Sequence, residues 1–214
     1  LSALRFLERA AAGKPAGLLV LHHGRGTDEH DLLGLADALD PAQRLHVLMP
    51  RAPLSVEGSP GYHWYLVPRV GHPDPETFNA ARVALAEFHD QLWERTGIGP
   101  HRTVLAGFSM GAVMSYALGL DGARPAPAGI LAFSGFLPSV AGWRPGLRGR
   151  EALRVFIAHG RADAIIDVGF ARVAARRLRA GGLQVDYHES EAAHQIDPAH
   201  IGPALSWLAA TLTG

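Results

Sequence analysis

The serine of "GFSMG", Gly107 to Gly111, has the surroundings in this chain that best suit covalent chemistry. An apolar run, Thr103 to Phe108, precedes it and an alanine-rich segment of helical composition follows, which predicts strand, sharp turn and helix in succession. Glycine at 107 and 111 removes side chains that would collide across that turn, leaving Ser109 in a strained conformation with its hydroxyl exposed. The helix N-terminus behind it favours developing negative charge. A hydroxyl is a weak nucleophile until a base takes its proton, so a histidine is required, and an acid to orient it.

Both follow further along the chain. After the apolar run Leu153 to Ala158 comes "HGRADAIID", with Asp163 just beyond the run and Asp167 placed to cap the next helix. Asp163 is therefore the preferred acid. After Leu183 to Tyr187 comes "HESEAAHQIDPAH". His188 still belongs to the strand end and His200 enters the final helical region, which leaves His194 on the connecting loop as the base. An oxyanion formed at Ser109 needs two N–H donors. Met110 supplies one, and Arg25 of "LHHGRGTD" the other, because Gly24 and Gly26 let that backbone come close. The Arg25 guanidinium as an anion site ranks second, since no Walker-type lysine follows.

Short apolar runs at Leu18 to His22, Leu45 to Met49, Thr103 to Phe108, Gly129 to Phe133, Leu153 to Ala158 and Leu183 to Tyr187 are the elements that must position these residues. Most are separated by segments of helical period: Asp28 to Leu39, Glu76 to Arg95, and Val168 to Ala180 with Asp167 as N-cap and Gly181 as stop. In Glu76 to Arg95 the residues Phe78, Ala81, Leu85, Phe88 and Leu92 share one face. The alternation predicts an α/β fold, a mostly parallel central sheet with helices on both faces. The irregular stretch Pro50 to Pro75 carries Tyr62, His63, Trp64 and Tyr65, which predicts an ordered loop over the carboxyl ends of the strands and an apolar wall for substrate. Only Gly135 to Ala152 lies where a lid is often inserted, too short and too rich in Gly and Pro for a lid domain, so the site is expected to be open to water.

Composition narrows the function classes. A chain of 214 residues, 48% apolar, suits one domain spanning 1–214. Twenty basic residues balance twenty acidic ones, which argues against nucleic acid, an anionic membrane or a polyacidic partner. The absence of cysteine excludes disulfides, thiolate catalysis and zinc–thiolate sites. None of the apolar runs approaches a membrane span, and the first residues lack the apolar stretch of a signal peptide, so a cytoplasmic location is expected. The twelve histidines show no H-E-x-x-H spacing, and no metal is expected.

"LHHGRG", "GFSMG", "HGRADAIID" and "AHQI" stand in an order and spacing that resembles the phospholipase/carboxylesterase family of small α/β-hydrolases, which includes the acyl-protein thioesterases. The resemblance covers nearly the whole chain. It implies an α/β-hydrolase fold, a Ser109, Asp163, His194 triad with backbone donors at Arg25 and Met110, and a pocket loop at "GYHWY", with Tyr62, Trp64 and Tyr65 binding substrate. It also implies that no cofactor or metal is used. Met110 stands where the thioesterase branch usually reads Gln, and Ala193 where many relatives read Gly. The opening "HHGRGTDEHDLL" looks more like the family's bacterial carboxylesterases. The expected activity is hydrolysis of short to medium soluble carboxylic esters through an acyl-enzyme. The rivals are an acyl-protein thioesterase or lysophospholipase, and a non-catalytic binding protein on a hydrolase fold. The expected partner is a small-molecule ester, with a homodimer left open.

Overall fold

Successive residues of the central strands face opposite sides of one sheet and enter two different cores. Leu18, Val20, Leu105, Ile130 and Val155 pack against one set of helices, while Leu19, Leu21, Val104, Leu131 and Phe156 pack against another. This double burial explains why the strands read as continuous apolar runs. The computed structural model describes residues 4–213. Its elements are β1 (Phe6–Arg9), β2 (Leu18–His22), α1 (Leu33–Leu39), β3 (His46–Pro50), β4 (Leu54–Ser55), β5 (Tyr62–His63), α2 (Pro75–Thr96), β6 (Thr103–Phe108), α3 (Met110–Gly119), β7 (Gly129–Phe133), β8 (Arg154–Gly160), α4 (Val168–Ala180), β9 (Gln184–Ser190) and α5 (Ile201–Thr213).

The main sheet has the order β1-β3-β2-β6-β7-β8-β9 and is parallel except for β1, which pairs antiparallel with β3 at one edge. Helices α2, α3 and α4 cover one face, and α1 and α5 the other. From β2 the chain builds outward to β3, and from β6 outward the other way to β7. The strand order therefore reverses between β2 and β6, where open α/β sheets form their crevice at the carboxyl ends. Among the described residues no helix is long and apolar enough to cross a membrane. The connection from β7 to β8 contains no helix or strand, as expected of a lidless chain.

The parallel sheet and its two helical layers match the sequence reading, while several boundaries move. Helix α1 starts at Leu33 rather than Asp28, because the Asp28 carboxylate accepts the backbone N–H of His30 and holds that stretch in a turn. Helix α2 gains a firm start from Asp74, whose side chain accepts Thr77 N–H, with Pro75 behind it, and ends on Gly97 in the left-handed region. Helix α4 has the expected bounds, with the Asp167 side chain accepting Gly169 N–H.

A cluster of buried histidines lies between β2, α2 and α3. His22 Nδ1 is 2.8 Å from Ser115 Oγ. Ser115 donates its proton to Gly111 O, so its oxygen accepts from the ring N–H. The His22 and His89 rings lie 5.6 Å apart, and among the described residues the Nε2 atom of each has no partner. Burial, with smaller effects from His89 and His23, holds His22 well below its ordinary value; burial, aided by Arg124, lowers His89 to about 3. The folded chain thus refuses protons that the unfolded chain accepts below about pH 6.5, so stability is full above that pH and falls as pH drops towards about 3. Each such histidine steepens the loss by up to about 1.4 kcal/mol per pH unit. Urea unfolding between neutral and mildly acidic pH should show this decline, and His89→Phe should flatten it by about one proton; an unchanged slope would contradict the assignment.

Candidate active site

The turn from β6 into α3 places Ser109 at φ 54° and ψ −120°, in the left-handed range that side chains other than glycine rarely adopt. Ser109 N–H donates to Phe133 O at 2.9 Å, tying the turn to the end of β7. A Cβ on Gly111 would overlap His22 O, and one on Gly107 would meet the Gly111 carbonyl carbon at 2.5 Å. Both glycines of "GFSMG" are therefore required by close backbone approach, as the motif predicted. The same approach lays the loop after β2 directly against the turn.

Asp163 follows β8 and His194 follows β9, so the parallel register of these two strands brings the loops together. Arg161 N–H donates to Ser190 O at 2.7 Å, and Ala162 N–H to Ala192 O at 3.1 Å. Outside them, Glu189 accepts from Arg161, from Arg172 and from the Tyr187 hydroxyl. These partners, Arg172 foremost, hold the Glu189 carboxyl well below its usual range. Ala193 is exposed and does not need positive φ, so alanine costs nothing there in place of glycine.

Within this frame His194 Nε2 lies 2.9 Å from Ser109 Oγ, and His194 Nδ1 lies 2.7 Å from Asp163 Oδ2. The carboxylate is an acceptor, so Nδ1 carries the proton and Nε2 presents a lone pair to the serine hydroxyl. The other carboxylate oxygen, Oδ1, accepts Ile165 N–H at 2.9 Å and Ile166 N–H at 2.8 Å. Burial pushes the Asp163 carboxyl up, but the hydrogen bonds from His194, Ile166 and Ile165 outweigh it and keep it below its usual value. Such a chain can pass a proton from hydroxyl to imidazole while the anion steadies the imidazolium. The alternatives lie elsewhere: Asp167 caps α4, His188 stacks on Phe156 with ring centres 4.7 Å apart, and His200 is buried in the turn before α5.

Arg25 and Met110 share with Ser109 the lining of a small depression of about 80 Å³. Gly26 N–H donates to Tyr62 O, while among the described residues the N–H groups of Arg25 and Met110 have no protein acceptor. A larger cavity of about 180 Å³ between α1 and α5 includes none of these residues.

The aromatic loop differs from expectation. Trp64 has no exposed surface; its indole N–H donates to His23 O at 2.9 Å and its backbone N–H points to the Met110 sulfur. A buried indole needs such a partner, and the one available lies beneath the β2 loop, not in the depression. Tyr62 sits under the Arg51 guanidinium, 4.3 Å from its ring centre, and its hydroxyl accepts from Arg51, which Glu29 holds through both carboxylate oxygens. Trp64 and Tyr62 therefore brace the Arg25 loop, and Tyr65 alone of the three lines the depression. Asp28, Glu29 and His30 lie within ligating reach of one another, but Arg51 occupies both Glu29 oxygens.

One residue escaped the sequence reading. His159, next to last in β8, is fully buried, with Nε2 2.8 Å from Ile166 O and 3.2 Å from the same Asp163 oxygen that holds His194. Nε2 bears the proton, which it donates to Ile166 O, and the ring lies against the carboxylate from behind. A polar residue four positions before the acid, at the end of an apolar strand, was the available signal.

A family model described as phospholipase/carboxylesterase matches residues 9–212. Mouse lysophospholipase-like protein 1 is 28% identical over 123 residues, covering 56% of this chain and 51% of that protein, so the match spans about half of that relative. The crystal structure of esterase PE8 superposes with a TM-score of 0.80 at 29% identity, covering 98% of both chains. The Bacillus cereus carboxylesterase superposes at 0.84 with 24% identity, covering 97% of this chain and 94% of its own. The architecture is that of the α/β-hydrolases.

If His159, through Ile166 O, holds the segment whose N–H groups fix Asp163, His159→Phe should preserve the fold while lowering kcat for an ester about tenfold, or ~1.4 kcal/mol. Circular dichroism and steady-state kinetics check this; unchanged kcat would assign His159 to packing alone.

Proposed function

The chain belongs to the phospholipase/carboxylesterase family of hydrolases, and on that premise we propose that it is a serine carboxylesterase acting on short to medium soluble esters through an acyl-enzyme. Ser109 Oγ attacks the ester carbonyl as His194 Nε2 takes its proton. The carbonyl oxygen, now negative, accepts the N–H groups of Arg25 and Met110. His194 then protonates the departing alcohol, and water deacylates Ser109 by the same steps in reverse order. Throughout, Asp163 holds the tautomer of His194. The observation that carries this reading is the unbroken chain Ser109 Oγ, His194 Nε2, His194 Nδ1, Asp163 Oδ2, with separations of 2.9 and 2.7 Å. A cytoplasmic location belongs to the same proposal.

Preference for short acyl groups is supported by the size of the depression. Val67, Val70, Phe136 and Ile165 supply its apolar wall, and Trp64 adds none. Each methylene contributes about 0.8 kcal/mol only where there is wall to cover it. The same constellation would also attack a thioester, so the two substrate classes must be compared directly.

Ser109→Ala should keep the fold and lose about 10³- to 10⁶-fold in turnover. In a panel of esters, kcat/KM should rise over the first few acyl carbons and then level or fall, with no jump at the solubility limit. A continuous rise to palmitoyl esters would contradict the short-chain reading, and matched thioesters turning over faster than esters would replace carboxylesterase by thioesterase.

A further inference from the structure

Apart from Ser109, the residues lining the depression divide into an apolar wall and two arginines, Arg25 and Arg69. Among the described residues no carboxylate lines it, and the Asp163 side chain is wholly buried behind His194. Other arginines close by are paired: Arg51 with Glu29, Arg161 with Glu189 and Glu191, Arg172 with Glu189. Neither Arg25 nor Arg69 has a carboxylate or hydrogen-bond acceptor as partner among the described residues, and both are exposed. A chain with no net charge thus concentrates two uncompensated cations beside its serine.

Both cations stand on built backbone. Gly26 N–H donates to Tyr62 O and Tyr62 N–H to Thr27 O, which locks the Arg25 loop onto the β4–β5 hairpin. Arg69 pairs with His72 across a tight turn, and His72 N–H donates to Arg69 O. The far end of that turn is fastened to α2, where Asp74 N–H donates to Leu66 O and Leu66 N–H to Thr77 Oγ1. Its tip, Gly71 at φ 83°, lies against Phe170, whose ring packs on Phe136 of the apolar wall. The guanidinium groups are free to turn, but the points from which they reach are set.

Resting on the reading of Ser109 as nucleophile, we propose that the preferred esters carry a negative charge, a carboxylate or a phosphate a few atoms from the scissile carbonyl, and that Arg25 and Arg69 are its counter-ions. A planar guanidinium meets either anion through paired, charge-assisted hydrogen bonds that a neutral ester cannot offer. The need for cations is chemical as well. A fixed negative charge near the carbonyl repels the oxyanion that forms on attack, so an ordinary hydrolase site favours the neutral ester. A depression with two cations and no carboxylate in its lining reverses that preference. The apolar wall then takes the few carbons between the ester and the charge.

Two matched pairs test this with the full chain: monomethyl against dimethyl glutarate, with the charge on the acyl side, and acetyl glycerol 3-phosphate against acetyl glycerol, with the charge on the alcohol side. In at least one pair the charged ester should show kcat/KM about tenfold or more above its neutral partner, and that pair identifies the anion. The ratio should fall towards one in Arg69→Gln, remain well above one in Arg69→Lys, and shrink as salt is raised. Neutral esters turned over as well as or better than charged ones in both pairs, or a ratio unchanged by Arg69→Gln, would overturn the inference while leaving the esterase reading intact. Turnover of no ester, together with a serine-directed phosphonate that leaves Ser109 unlabelled, would overturn the esterase reading itself.

Discussion

The end of β2 and the start of α3 approach so closely that no side chain fits between them. His22 and His23 present their carbonyl oxygens to the Cα of Gly111, and a single methyl group there would overlap the first of them. Much else follows from that contact. It forces the chain after β6 to turn at Ser109 with positive φ, lifting the hydroxyl clear of the sheet. It also brings Arg25, two residues past His23, near Met110, so that both residues line one small depression with Ser109. A strained serine and a pair of unpartnered N–H groups are costly separately; the strand order, which places β2 beside β6, makes them neighbours.

The rest of the molecule holds this contact in place from both sides. Under it, His22 donates to Ser115, and Ser115 to Gly111 O, so the first turn of α3 is bonded to the strand it abuts. Over it, the hairpin carrying Tyr62 and Trp64 closes on the Arg25 loop, with the Trp64 indole N–H satisfied by His23 O. On the other side, the register of β8 with β9 and the bonds from Arg161 and Ala162 seat Asp163 and His194 as a unit. Asp163 and His194 therefore sit on loops bonded to each other, and Ser109 on a turn bonded to the end of β7. Such mutual support is what a preorganised site requires.

The members of the proposed triad are legible because their position depends on strand ends and chain order, both of which leave marks in a sequence. A hydrophobic run ends one residue short of Ser109, five short of Asp163 and seven short of His194. Which way a loop side chain turns leaves no such mark. Trp64 and Tyr62 stand in the loop where a substrate wall is expected, but the indole finds His23 O and the phenol the Arg51 guanidinium, and neither lines the depression. Asp28 resembles a helix start and instead closes a turn on His30. The strand β1 passed unseen: four residues, FLER, half exposed at a sheet edge, carry too little periodicity to distinguish from a charged leader. Arg69 was invisible for a further reason, since only the folded loop brings it to the lining that Arg25 and Ser109 share.

Acyl transfer through Ser109 leaves a covalent intermediate that can be trapped. A short activated ester is mixed with excess enzyme, quenched in acid within the first turnover, and the digested protein is examined by mass spectrometry. One acyl group per chain is expected, on the hydroxyl of Ser109 in the peptide containing "GFSMG", formed as fast as the first equivalent of alcohol is released and then lost to water. Steady hydrolysis with Ser109 unmodified throughout, or an acyl group carried on another residue at the same rate, would contradict it.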